Sequence, residues 1–273
     1  MPVRIVQSQH NSRLKELRRA LASPGRNASG LVGIEGPHLL AEARRAQLSF
    51  ACVFVAQGAE ALLIGLGLPQ ETEVLRLPPA LLSRALTTET PQPIAALVAP
   101  RESSWSDLLG SRPKSAPLLV VLAELQDPGN LGTILRAAEA FAAHGVISLP
   151  GSVSRWNPKA MRASAGSVFR VPLLSAKTDE ALARLRASGV KIYTTTARAA
   201  RPADLVNLTG PVALVIGNEG GGVPAEVAAA ADGSITIPCP GPVESLNAAV
   251  AAGVLLYEAA RQRARGPTSG GAE

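Results

Sequence analysis

Cysteine and aromatic residues are both scarce in this 273-residue chain, which has two Cys and only 3% Phe, Trp and Tyr. Cys52 and Cys239 lie far apart within apolar sequence, which argues against a disulfide framework or a zinc site and marks both as buried thiols. So few aromatics also argue against the stacking platforms on which proteins lay single-stranded nucleic acid. No uninterrupted apolar run reaches about 18 residues and no charged-then-apolar leader opens the chain, so neither a membrane span nor export is indicated. The expected location is the cytoplasm. Missing as well are the G-x-G-x-x-G fingerprint and the Walker A loop, which disfavours a nucleotide-dependent oxidoreductase.

What is present describes a globular chain, with 47% hydrophobic and 18% charged residues and with 25 Gly and 22 Pro. Its length is comfortable for two domains, each with its own core. The formal charge of +6 is unevenly spread. Before residue 28 the basic residues are Arg4, Arg13, Lys15, Arg18, Arg19 and Arg26, against the single acid Glu16. Such a run fits a polyanionic partner or a solvated helix face.

Residues 99–117, "APRESSWSDLLGSRPKSAP", follow no helical or strand period and mark the boundary. We assign residues 1–100 to a first domain, 101–116 to a linker, 117–263 to a second domain and 264–273 to a disordered tail. The first domain alternates a basic helix over 11–22, a strand near "LVGIEG", a helix over 37–46 and a strand at "FACVFVA", the pattern of a small α/β domain. In the second, apolar strands are predicted at 118–122, 145–149, 190–194, 212–216 and 234–237. Continuous apolar strands separated by helices indicate a parallel sheet covered on both faces, whose ligands bind at the carboxyl ends of the strands.

Three strand-to-helix corners in that domain carry polar residues. The first is "LQDPGNLGTILR", with Asn130 and Arg136; the second is "VIGNEGGGVP", where three glycines allow a ligand to lie against main chain. The third is "IPCPGPVESLN", which leads into a helix of small residues. Each has a plain structural reading on its own: turn and cap for Asp127 to Asn130, a helix start for Pro224, a helix cap for Ser245.

Taken together, "NLGTILR", "VIGNEGGGVP" and "IPCPGPVESLNAAVAAGVLLYE" resemble the three signature motifs of the SpoU (TrmH-type) RNA ribose methyltransferases of the SPOUT superfamily. The segment "NPKAMRASAGSVFRVPL" resembles the stretch these enzymes carry between their first and second motifs. A weaker likeness, in "NSRLKELRR" and "GIEGPHLLAEA", is to the ribosomal-protein-like RNA-binding domain that precedes many of these catalytic domains. Cys239, Pro240 and Ala248 depart mildly from the pattern, and no polar group expected to do chemistry is missing.

The resemblance implies an α/β SPOUT domain with a mostly parallel sheet and a deep trefoil knot, an exception to un-knotted topology. It implies S-adenosyl-L-methionine as cofactor, held around Thr195, Thr196, Ala197, Ile216, Gly217, Asn218, Gly220, Ile237, Pro238, Cys239, Leu246 and Asn247. Methylation of a ribose 2′-hydroxyl in structured RNA would then fall to Asn130, Arg136, Glu219, Ser245 and Asn247. Arg136 is either a general base or a cation that orients a phosphate and stabilises the alkoxide. The second role carries less strain, because a guanidinium titrates above about 12. RNA contacts fall to Arg13, Lys15, Arg18 and Arg19 in the first domain and to Arg155, Lys159, Arg162 and Ser164 between the motifs. A homodimer through the catalytic domain is expected, with no metal. Large-subunit ribosomal RNA is preferred over transfer RNA as substrate, and a catalytically silent RNA-binding factor is the rival reading.

Overall fold

The computed structural model describes residues 2–110, 116–197 and 201–265. Part of the expected linker, and all of the expected tail beyond Arg265, lie outside the described residues. The chain forms two compact units, Met1–Glu102 with Ser154–Arg170, and Ser103–Val153 with Val171–Glu273. The segment 154–170, which the sequence assigns to the second domain, thus clusters with the first unit.

The first unit opens with β1 (Val3–Ile5) and α1 (Ser12–Ala22). Asn11 caps α1 by accepting from Leu14 N at 3.1 Å, and Leu14, Leu17, Ala20 and Leu21 recur at helical spacing to form its buried stripe. Then follow β2 (Val32–Glu35), α2 (Pro37–Arg45), β3 (Ser49–Ala56), α3 (Ala61–Ile64), β4 (Glu73–Leu77), α4 (Pro79–Ser83) and β5 (Ile94–Ala99). The strands form one sheet in the order β1-β4-β3-β5-β2, parallel from β1 to β3 and antiparallel on both sides of β5. Leu14, Leu17, Phe54, Leu77 and Leu97 pack together in its core, and Cys52 is buried beside them. Burial pushes the Cys52 thiol up to about 12, as the sequence reading of a buried thiol requires.

The second unit begins with α5 (Trp105–Leu109), where Ser104 and Asp107 form a capping box, then β6 (Leu118–Leu122), α6 (Pro128–Ala140) and β7 (Gly145–Ser148). The chain then enters the segment clustered with the first unit, which carries α7 (Pro158–Ala163). Back in the second unit follow β8 (Leu173–Ser175), α8 (Thr178–Ala187), β9 (Lys191–Thr195), β10 (Arg201–Pro202), β11 (Val212–Ile216), α9 (Ala225–Ala229), β12 (Gly233–Thr236) and α10 (Ala248–Arg265).

The seven strands order as β10-β12-β9-β11-β6-β7-β8, and every pairing is parallel. The five predicted strands stand within a residue of their expected places; the short edge strands β8 and β10 carry too few apolar residues to be read from sequence. Leu119, Val121, Ala213, Val215 and Ile192 pack on one face with Leu108, Leu185 and Val227. Alternate residues such as Val120 and Leu214, equally buried, point the other way. Both central strands are therefore covered on two sides, which is why they read as unbroken apolar runs.

Within the first unit, one charged cluster explains where the segment 154–170 belongs. Glu42, only 5% exposed, accepts from Arg170 Nη1 at 2.5 Å and from Arg45 Nη1 at 2.6 Å. Burial raises the Glu42 carboxyl, but the Arg170 hydrogen bond and the two cations outweigh it and hold it below the ordinary carboxylate range. Gly166 sits against this carboxylate with φ +91°, and an added Cβ would meet Glu42 Cβ at 2.5 Å. Only glycine fits there.

Candidate active site

The site grows from the carboxyl ends of β6, β9, β11 and β12. After β6, Asp127 caps α6 by accepting from Asn130 N at 2.8 Å, so the amide side chain of Asn130 projects from the helix's first turn. After β11, Asn218 closes a tight loop: its backbone pairs with Gly222 in both directions, at 2.8 and 3.0 Å, while its Oδ1 accepts from Gly220 N and Gly221 N at 2.9 Å. A Cβ on Gly217 would lie 2.3 Å from the Gly222 carbonyl carbon, so this strand end tolerates no side chain. The glycine amides of 220 and 221 are thus spent on the loop's own shape.

After β12, the strand-to-helix segment ends at Asn247, whose Oδ1 accepts from Ala249 N at 2.9 Å and Val250 N at 3.3 Å and so caps α10. The plain reading of Ser245 as this cap is corrected: the helix begins at Ala248, one residue beyond Asn247.

These corners are joined through Glu219. Its Oε1 accepts from Asn130 Nδ2 at 2.9 Å and Asp127 N at 3.2 Å, and its Oε2 from Gln126 N at 3.4 Å. Asn247 Nδ2 in turn donates to Asn130 Oδ1 at 3.0 Å, and Asn218 Nδ2 donates to the Glu124 carbonyl at 2.9 Å. Burial raises the Glu219 carboxyl, but Asn130 and the backbone amides outweigh it and keep it below the usual carboxylate range. Glu219 is an anion held by neutral donors.

Beside this chain of hydrogen bonds lies a cleft of 1160 Å³. Thr195, Thr196 and Ala197 line one part of it, Ile216, Gly217, Asn218 and Gly220 another, and Ile237, Pro238, Cys239, Leu246 and Asn247 a third. Every residue expected to hold the cofactor therefore faces one cavity. Thr195 is fixed by donating Oγ1 to the Val215 carbonyl at 2.9 Å. Cys239 is exposed here, which corrects its reading as a buried thiol: it follows the sheet rather than lying inside it. The formal charges on the described lining are Glu219 and Glu244, with neither Lys nor Arg among them. Such a cleft suits a cationic ligand and opposes a polyphosphate.

Of the five expected catalytic residues, Asn130, Glu219 and Asn247 are brought together. Ser245 lines the cleft outside that chain. Arg136 stands apart on the exposed side of α6, with Thr133 and Ala140, and has no hydrogen bond or ion pair among the described residues.

The expected RNA contacts divide similarly. Lys15, Arg18 and Arg19 are exposed on α1, whereas Arg13 is tied to Glu16 at 2.9 Å and Glu73 at 3.3 Å. Lys159 and Arg162 are exposed on α7. Arg155 donates to the Val168 carbonyl and stacks over Trp156 at 4.7 Å, and burial lowers it to about 10. Ser164 is corrected: it is fully buried, and its hydroxyl donates to the Met161 carbonyl at 2.8 Å to close α7. Neither Arg155 nor Ser164 is presented to a strand outside.

The chain is similar to known proteins along most of its length. The SpoU rRNA Methylase family matches residues 117–257, and an MRM3-like substrate binding domain matches residues 11–96. The chain is 30% identical over 252 residues to the 23S rRNA (guanosine(2553)-2′-O)-methyltransferase RlmP of Bacillus subtilis, covering 92% of this chain and 97% of that protein. It is 34% identical over 248 residues to an uncharacterized tRNA/rRNA methyltransferase of Mycolicibacterium smegmatis, covering 88% and 79%. Among solved structures it resembles the SpoU methyltransferase AviRb from Streptomyces viridochromogenes in complex with AdoMet, with TM-score 0.81, 27% identity, and 94% and 100% of the two chains covered. The AdoMet-bound rRNA methyltransferase from Sinorhizobium meliloti matches with TM-score 0.82, 29% identity, and coverage of 95% and 98%.

Proposed function

The chain belongs to the SpoU rRNA methylase family, and from that premise we propose that it transfers a methyl group from S-adenosyl-L-methionine to a ribose 2′-hydroxyl in structured RNA. The observation that carries the reading is the cleft itself. Three corners meet around one carboxylate fixed by amides, and the described lining is anionic. Its charge suits a sulfonium, and its 1160 Å³ gives room for a molecule of that size.

Bound S-adenosylmethionine supplies an electrophilic methyl on a cationic sulfur. The remaining work is alignment and charge. Glu219, ionised, fixes the Asn130 amide, and Asn130 fixes Asn247, so the amide groups beside the cleft have one orientation. Arg136, unpaired and cationic, orients an RNA phosphate and stabilises the developing alkoxide. Its absence from the cleft lining fits an arrangement in which a second copy of the chain completes the site. Val250, Val254 and Tyr257 give α10 an exposed apolar stripe, at 51%, 40% and 55% exposure, of the kind a homodimer covers. Light scattering on the eluting protein is expected to give twice the chain mass.

The reading carries with it the deep trefoil knot expected of the C-terminal part of the chain. It also carries phosphate contacts through Lys15, Arg18, Arg19, Lys159 and Arg162, and a cytoplasmic location where unfinished RNA is found. Ribosomal RNA is favoured over transfer RNA by the likeness to a 23S rRNA enzyme along nearly its whole length.

The test is transfer of labelled methyl into unmodified ribosomal and transfer RNA, followed by digestion to nucleosides, with Arg136→Ala as control. Label in a 2′-O-methyl nucleoside, lost in the control, is the expected result. RNA binding without label in either pool would overturn the enzymatic reading in favour of a silent RNA-binding factor.

A further inference from the structure

Between β6 and α6 the backbone is held from two sides. On one side stand groups of the second corner. Ala123 N donates to the Ile216 carbonyl at 2.9 Å, the Glu124 carbonyl accepts from Asn218 Nδ2 at 2.9 Å, and Gln126 N and Asp127 N donate to Glu219. On the other side lies the short stretch after β7. Leu149 N donates to the Leu122 carbonyl at 2.9 Å, and Val153 N to the Leu125 carbonyl at 2.7 Å. Between these two bonds, the Ser152 hydroxyl accepts from Leu125 N at 3.2 Å and donates to the Leu122 carbonyl at 3.2 Å. Leu125 is fully buried, so its amide depends on that hydroxyl as acceptor.

The chain changes sides at Glu124, whose φ of +59° lies in the left-handed region that a side chain disfavours. A residue other than glycine stays there only where its surroundings hold it, and such residues gather at functional sites. Here the holds are Asn218 on the Glu124 carbonyl and Ser152 on the next amide. The two amides that follow are those that meet Glu219.

We propose that Ser152 is a positioning residue for methyl transfer: its hydroxyl keeps Glu124 left-handed and so aims the amides of Gln126 and Asp127 at Glu219, which in turn fixes Asn130. The inference rests on the reading of the cleft as a methyl-transfer site and deepens it, since Ser152 belongs to none of the three corners and does not line the cleft. With Ala at this position, Leu125 N loses its acceptor and the left-handed turn loses one of its two holds. The backbone then relaxes toward ordinary φ, the two amides draw away from Glu219, and the Asn130 amide loses its single orientation. Leu122 is less affected, because its carbonyl keeps Leu149 N.

The experiment compares the full-length parent with Ser152→Ala and Ser152→Thr by NMR titration of the labelled Glu219 carboxyl, by methylation of unmodified ribosomal RNA, and by calorimetry of S-adenosylmethionine binding. In Ser152→Ala the Glu219 carboxyl is expected to titrate higher than in the parent, because two of its backbone donors have moved. kcat should fall about tenfold, the size of one hydrogen bond carried into the barrier. Cofactor affinity should stay within about twofold, since Glu219 remains ionised at neutral pH and the loss falls on the transition state alone. Ser152→Thr keeps the hydroxyl at a partly exposed position and should restore both the titration and kcat. Thermal melting reports that each variant is folded. An unmoved Glu219 titration in Ser152→Ala, or a Thr variant as impaired as the Ala one, would overturn the proposal. A raised Glu219 titration, restored by Thr, in a protein that methylates no RNA would instead keep Ser152 as the residue that aims Glu219's donors and sink the enzymatic reading.

Discussion

The two units treat charge differently. In the first, cations are set against carboxylates: Arg13 against Glu16 and Glu73, Arg45 and Arg170 against Glu42, Arg76 against Glu60, and Arg26 against Glu102. In the second, the central carboxylate of the site, Glu219, is held by amides, and the cation expected to act with it, Arg136, has no partner among the described residues. Ion pairs give the first unit its internal architecture and leave less free positive charge than the composition suggests. Neutral donors leave the cleft anionic and leave Arg136 free to meet a substrate.

The largest effect that would break this contrast is at Arg136. If it is the unpaired cation of methyl transfer, Arg136→Ala should lower kcat by about 10²- to 10³-fold, the usual cost of losing one electrostatic donor to a developing oxyanion. S-adenosylmethionine affinity, measured by calorimetry, should be unchanged, since Arg136 does not line the cleft. Loss of cofactor binding along with activity would place Arg136 in the architecture instead.

Next in size is Glu42→Ala. Removing the buried carboxylate deprives Arg170 and Arg45 of their charge-assisted hydrogen bonds to it, at a cost of about 2 kcal/mol. Urea unfolding of the full chain should show the loss. The pH dependence has a definite sign. The Glu42 carboxyl is held below its unfolded value, so its contribution is complete above about pH 4.3 and disappears as pH falls through the lowered folded value. A Glu42→Ala protein as stable as the parent would show that the pair merely tolerates its burial.

The contrast also explains what could be read from sequence. The three corners were legible because they sit at strand ends, where apolar runs stop and local turn chemistry takes over; that Asn130, Glu219 and Asn247 in them belong beside a cofactor followed only from their likeness to the SpoU motifs. The five main strands were legible because both of their faces are buried. What escaped depends on distant contacts. Glu42 and Arg170 are 128 positions apart, and nothing periodic announces that 154–170 clusters with the first unit. Ser164 looked like an RNA contact because it is polar and lies between motifs, yet the end of α7 uses its hydroxyl internally. Asn247 and Ser245 are both good cap residues, and only the start of α10 decides between them.

A smaller effect is expected at Asn130, which joins the anion to the third corner. Asn130→Ala removes a side-chain donor that helps hold Glu219 below the ordinary range, so the Glu219 carboxyl should titrate higher than in the parent. Carboxyl-labelled NMR titration reads this directly. Because Glu219 keeps its backbone donors from Gln126 and Asp127, the loop after β11 should hold and kcat should fall by about tenfold rather than vanish. No shift at Glu219 would mean that the backbone donors alone hold the anion.

The smallest effects separate cations that look alike in sequence. Arg13, Arg18 and Arg19 lie within two turns of α1, but Arg13 is compensated by Glu16 and Glu73, and those carboxylates hold its proton more firmly. Each Lys or Arg that neutralises a phosphate contributes about 0.7 to 0.9 to the slope of log affinity against log salt. Arg18→Ala or Arg19→Ala should therefore flatten that slope by nearly one and weaken RNA binding a few-fold. Arg13→Ala should leave the slope almost unchanged, since the charge it removes was already matched within the unit. Its loss should appear instead as a modest drop in thermal stability, because Glu16 loses its cationic partner within α1 and keeps the neutral donors Asn27 and Ser29. An Arg13→Ala slope change equal to that of Arg18→Ala would show that RNA displaces the internal carboxylates, and the first unit's ion pairs would then be exchangeable contacts rather than fixed architecture.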